Sequence, residues 1–177
     1  MSATFFLTLF LAASAQDDVR TQVEAYLGTI DTPIAADRWR ALGPAAAPIL
    51  EATARDGGAM PSRRARAVEA LSFVGAPGAA DLMIELARRE GEPPIVRASA
   101  LRGAGNLLPA ARLVAAARPI MEGAADLHVR AAAAEVLARR APREACSPVR
   151  AQVAREPSDR ALAFSRALAA CAATPER

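Results

Sequence analysis

Lysine is missing from this chain: all 22 basic residues are arginine, set against 19 acidic residues and a single histidine. The formal charge of +3 is too small to argue for nucleic acid by itself. Aromatic residues make up only 4% of the sequence, with one tryptophan and one tyrosine. That scarcity withholds the stacking platforms of a nucleic-acid reader and the residues that a β-sheet favours. Two cysteines and one distant histidine, His128, offer no metal-ligand spacing. No serine or cysteine nucleophile with a second partner accompanies His128 in sequence, so a helix-start position is expected for it rather than catalysis. No catalytic constellation stands out, and the chain is read as a non-enzyme with no cofactor. Long apolar runs are also lacking, and no stretch is long enough to span a bilayer.

Alanine is what the chain has instead. Hydrophobic residues reach 53%, and alanine supplies most of them. Alanine has the best helix propensity and no side-chain entropy to lose, so it predicts helices packed closely on small side chains. Codon bias accounts equally well for the joint excess of alanine and arginine.

The first fifteen residues differ from the rest. Ala3 to Ala15 is uncharged, and it ends in Ala13-Ser14-Ala15 before Gln16-Asp17-Asp18. Small residues at the −3 and −1 positions predict an export signal, residues 1–15, cut after Ala15, although no basic residue precedes the run. A buried or interfacial N-terminal helix is the other structure this run permits. Export places the mature chain, residues 16–177, in the periplasm or outside the cell. That compartment allows Cys146 and Cys171 to form a disulfide. In a reducing compartment they would be two small buried thiols.

From Pro44 onward the punctuation is periodic. Prolines able to open helices stand at Pro44, Pro77, Pro109, Pro142 and Pro175, spaced 33, 32, 33 and 33. Arg64, Arg97 and Arg130 recur at 33, and Arg160 arrives three residues early. Asp56, Glu90, Glu122 and Glu156 precede them, so each unit is expected to pair a carboxylate before the bend with an arginine just after it. The hydrophobic pattern predicts helix pairs at 17–30/33–42, 44–56/61–74, 77–90/94–106, 109–122/126–140 and 142–155/158–172. In the first, Val19, Val23, Leu27 and Ile30 share a face. Expected core residues are Leu71, Leu82, Ile84, Leu86, Leu101, Leu113, Ile120, Val136 and Leu137, with Trp39 as a core anchor. Pro119 falls inside a helix and is expected to kink it.

Val96-Arg97 and Val129-Arg130, each opening a helix after an acidic bend, resemble the motif of HEAT repeats. Ser62–Ser72 matches more loosely, with Arg63 in place of the valine, and Asp159-Arg160 matches weakly. The resemblance covers about Pro44 to Ala172, and residues 17–42 look like a divergent first repeat. It implies an all-α, right-handed α-solenoid of about five antiparallel helix pairs with a period of about 33. The second helices would line an inner face that binds a protein or peptide. It implies no cofactor. The same family includes lyases that act on bilin chromophores of light-harvesting proteins, and a purely structural envelope module is the remaining alternative.

Positions two, five and nine after each key arginine share one helix face. They are Arg66, Glu69 and Phe73; Ser99, Arg102 and Asn106; Ala132, Glu135 and Arg139; then Leu162, Ser165 and Ala169. Glu69, Arg102 and Glu135 alternate in sign. The candidate partner-binding residues are therefore Arg66, Glu69, Arg102, Asn106, Glu135 and Arg139, unless the stripe is only a solvated charge ladder. Short basic clusters at Arg63-Arg64-Arg66, Arg88-Arg89 and Arg139-Arg140-Arg143 are interspersed with acids, and no nucleic-acid partner is expected. The last helix, 158–172, is apolar most of the way round, which suits self-association or a clamp through the disulfide.

Overall fold

Ala3 to Leu27 contains neither proline nor glycine, and it forms one uninterrupted helix, α1 (Ala3–Gly28). The computed structural model describes residues 3–29 and 32–173, with residues 3–15 as backbone only. Ile30 and Pro175 lie outside the described residues. Every regular element among those described is a helix, and none is long and apolar enough to cross a membrane. The chain divides into two units, Met1–Pro77 and Gly78–Arg177.

In the first unit α1 is followed by α2 (Ala36–Leu42), a 3-10 turn at Gly43–Ala46, α3 (Ala47–Arg55) and α4 (Pro61–Leu71). The α1 helix does not start at Asp17 as its amphipathic part predicts, because nothing in the alanine-rich run before it breaks a helix. Likewise α2 begins at Ala36 rather than at Pro33. Gly43 stops it with a φ of 60°, a conformation that costs glycine little. Pro44 opens the 3-10 turn, and Pro61 occupies the first turn of α4, where its missing N–H leaves no bond unmade. Val23 and Leu27 of α1, Leu50 of α3, and Val68 and Leu71 of α4 form the core, with Trp39 buried beside Tyr26.

The second unit holds α5 (Ala79–Arg88), α6 (Pro94–Leu107), α7 (Ala110–Gly123), α8 (Leu127–Arg140) and α9 (Pro142–Arg155). It closes with α10 (Ser158–Ala161), a 3-10 turn at Leu162–Phe164 and α11 (Ser165–Ala172). The α5/α6 and α7/α8 pairs pack within themselves; α5 also touches α7 and α7 touches α9, while α8 touches α6, α9 and α11. The central helix is α8, buried continuously from Ala131 to Ala138. Its alanines allow neighbours to approach closely, and Gly105 of α6 allows more: a Cβ there would stand 2.5 Å from Val136 Cγ1.

Leu71, Leu82, Leu86, Leu101, Leu113, Ile120, Val136 and Leu137 are buried as expected, and Ile84 is half-buried. Pro119 lies within α7, which runs on to Gly123, and α9 carries a second internal proline, Pro148. The final helix is not continuous as predicted. The 3-10 turn interrupts it and brings Phe164 into the core, while Leu162 is left 79% exposed.

The expected bend pairs do not form. Arg64 Nε donates to Ala54 O at 3.0 Å, and Arg97 Nε donates to Ala87 O at 3.0 Å. Asp56 accepts from the Gly58 N–H instead, Glu122 pairs with Arg118, and Glu90 is exposed. The last carbonyls of a helix have no partner within it and carry the negative end of its dipole. At Arg64 and Arg97 they satisfy a guanidinium folded back from the next helix, without the bend carboxylate of the same unit.

Candidate functional site

Of the aromatic residues after position 15, Tyr26, Trp39 and Phe73 lie in the first unit and Phe164 in the second. The C-terminal end of α1 brings Tyr26 and Thr29, the following loop brings Thr32, Pro33 and Ile34, and α2 brings Trp39. Arg66 and Glu69 stand one turn apart on α4, with Phe73 just beyond it. Together these residues line an open cavity of about 250 Å³.

The walls are positioned by specific contacts. Tyr26 and Trp39 meet edge to face, with centroids 5.2 Å apart and planes at 87°, the arrangement that suits the ring quadrupoles. The Tyr26 hydroxyl accepts from Gln22 Nε2 at 3.0 Å. Thr29 Oγ1 donates to Tyr26 O at 2.9 Å, tying the chain at the end of α1. Arg66 Nη1 donates to Leu27 O at 3.0 Å and also to Thr29 O, so its guanidinium closes the C-terminal end of that helix. The Arg40 guanidinium lies over Phe73, 5.6 Å from the ring centre. Glu69 is exposed. The arrangement offers aromatic faces, backbone carbonyls and one water-accessible carboxylate. Its volume is below the roughly 300–1,000 Å³ of pockets for drug-sized ligands and suits a single side chain.

The stripe residues of the second unit are placed differently. Arg102 is exposed and donates to the buried Ser99 Oγ at 3.1 Å. Asn106 is exposed at the end of α6. Glu135 is not on an open floor: it is 7% exposed, on a helix covered from several sides. No donor is aligned for a hydrogen bond to its Oε1, but that oxygen is ion-paired with the exposed Arg139 one turn on, which compensates its charge. Leu162, Ser165 and Ala169 are exposed. The structure thus brings Arg66, Glu69 and Phe73 into one cavity and turns Glu135 inward. The signal for Glu135 lies in its own helix, which is apolar nearly all round from Ala131 to Ala138 and so belongs in an interior. Tyr26, Thr29, Thr32, Pro33 and Ile34 carry no motif; the clustering of Tyr26, Trp39 and Phe73 in a chain so poor in aromatics is the one hint of them.

The strongest electrostatic node lies elsewhere. Arg130 grips Glu156 with two parallel bonds, Nε to Oε1 and Nη2 to Oε2, both 2.8 Å. Its Nη1 donates to Ala124 O and Ala125 O at 2.8 and 2.9 Å, and Gln152 Nε2 donates to Glu156 Oε1 at 2.9 Å. The hydrogen bonds from Arg130 hold the Glu156 carboxyl below its ordinary range, against the opposing effect of burial, with Gln152 and the charges of Arg130 and Arg160 adding to them. The Glu156 carboxylate in turn raises the Arg130 guanidinium above its ordinary value. The Arg130–Glu156 pair joins the end of α9 to the start of α8. His128 is exposed in the first turn of α8, whose start is capped by Asp126 Oδ1 accepting from the Val129 N–H at 3.0 Å. Among the described residues no three His, Cys, Asp or Glu gather as a metal site.

Cys146 of α9 and Cys171 of α11 form a disulfide, with Cα atoms 5.4 Å apart. It clamps the terminal helix to the helix before it. No protein-family model matches the chain, and no curated protein or solved structure is significantly similar to it.

Proposed function

We propose that this chain is an exported, non-catalytic HEAT-like repeat scaffold that binds a protein or peptide partner, with the cavity of the first unit as its anchoring point. The 33-residue recurrence supports the repeat reading, as do the contacts α5–α7–α9 and α6–α8–α11 within the second unit. The disulfide is compatible with export.

One observation carries the binding site: Arg66 and Glu69, two polar residues on one face of α4, line a cavity walled by Tyr26, Trp39 and Phe73. A partner inserts one apolar or aromatic side chain between the rings. Glu69 accepts a hydrogen bond from the partner's backbone or pairs with a basic neighbour. Partly buried aromatic pockets of this kind supply most of the energy of a peptide interface, and the surrounding polar contacts supply orientation.

A photoreactive residue at position 69, activated in cells and followed by mass spectrometry, tests this. The expected result is a crosslink to a defined exported protein. A Phe73→Ala substitution in the same chain, with stability checked by denaturation, is expected to remove that crosslink. A stable Phe73→Ala chain that crosslinks the same protein equally well overturns the site.

A further inference from the structure

We infer that the mature chain begins at Gln16 and that this residue closes into pyroglutamate. The inference rests on the export reading, in which the chain is cut after Ala15. Gln16, Asp17 and Asp18 are exposed, whereas Val23 and Leu27 are buried in the first unit and Glu24 is ion-paired with Arg63. Loss of residues 1–15 therefore leaves the rest of α1 anchored and makes Gln16 its first residue.

An N-terminal glutamine carries a nucleophile and an electrophile on one residue. The free α-amine attacks Cδ of its own carboxamide and forms a lactam bond. The Cδ–Nε2 bond breaks, and the nitrogen leaves as ammonia with a proton from the amine. No oxidant, reductant or second substrate enters the balance. A glutamine inside the uncut helix cannot react this way, because its backbone nitrogen is already an amide.

The helical setting favours the product. The first four N–H groups of a helix have no acceptor within it, so converting the terminal amine into a lactam breaks no helical hydrogen bond. Closure also removes a positive charge from the end where the helix dipole is itself positive.

The test is the intact mass of the exported protein, measured before any digestion, followed by sequencing of its N-terminal peptide. The expected chain starts at Gln16, is lighter by one ammonia than its sequence requires, and resists aminopeptidase until treated with pyroglutamyl peptidase. A Gln16→Ser chain, cut at the same bond, is expected to show its full mass and a free amine. A Gln16 terminus at full mass overturns the cyclisation and leaves the export reading standing. A chain that retains Met1, or starts at any other residue, overturns both.

Discussion

Arg64 and Arg97 each place a guanidinium against a carbonyl in the last turn of the preceding helix, at 4% and 5% exposure. Removing a cation from water costs several kcal/mol unless it is hydrogen-bonded. The end of a helix supplies unpaired carbonyls and a favourable dipole together. Arg130 departs from this scheme by adding a carboxylate, Glu156, and the departure has a pH signature. The Glu156 carboxyl is depressed in the folded chain, mainly through its hydrogen bonds with Arg130. Its contribution is therefore fully present above the ordinary carboxylate range, and it is lost as pH falls through the lower folded value. Arg130 is shifted upward, so its share persists at every pH below the ordinary guanidinium range. Glu156→Gln keeps the shape and removes the charge. It is expected to lose about 1.5–3 kcal/mol in urea denaturation at neutral pH. Wild type and variant are expected to converge in acid, and a gap that persists there contradicts the assignment. The 33-residue spacing marks Arg64 and Arg97 in the sequence, but the carbonyls of Ala54 and Ala87 that accept from them are backbone groups, which no side-chain pattern advertises.

At the scale of elements, proximity is decided by small residues. Gly105 of α6 faces Val136 of α8. A glycine inside an exposed helix is normally a weak point, and alanine there gains up to about 1 kcal/mol. Here the added Cβ would stand 2.5 Å from Val136 Cγ1. Val136 is β-branched and held in a single rotamer within its helix, so it cannot swing aside. Gly105→Ala is expected to destabilise by about 1–3 kcal/mol in chemical denaturation. In a Val136→Ala background the same change is expected to become neutral or favourable, and additivity in that cycle would exclude the contact. A glycine in an alanine-rich helix signals a close approach, but nothing local says that Val136 is the neighbour. Pattern also failed at the last helix. Residues 158–172 are all compatible with a helix, and the 3-10 turn at Leu162–Phe164 reflects where Phe164 must go to be buried.

For the whole molecule, the covalent link between α9 and α11 stabilises the end of the chain. Cys146 and Cys171 are separated by 25 positions, and both are buried. Closing a loop of that length stabilises by about 3.5 kcal/mol on the chain-entropy account. Replacing both cysteines by serine is expected to reduce the denaturation free energy by a comparable amount, read by far-ultraviolet circular dichroism. An unchanged midpoint would mean that α11 is held by packing alone. The structural information legible in the residue pattern is local. Alanine content, proline at helix starts and a 33-residue rhythm specified an all-helical chain and most of its helix boundaries, because propensity and backbone chemistry act within a few residues. The tertiary structure alone decided which surfaces meet. It turned Glu135 inward on a helix enclosed by its neighbours, moved Glu156 from its own bend to Arg130, and gathered Tyr26, Trp39, Arg66, Glu69 and Phe73 around one cavity. Burial and pairing between residues far apart in sequence depend on how whole helices pack, and no spacing along the chain encodes that.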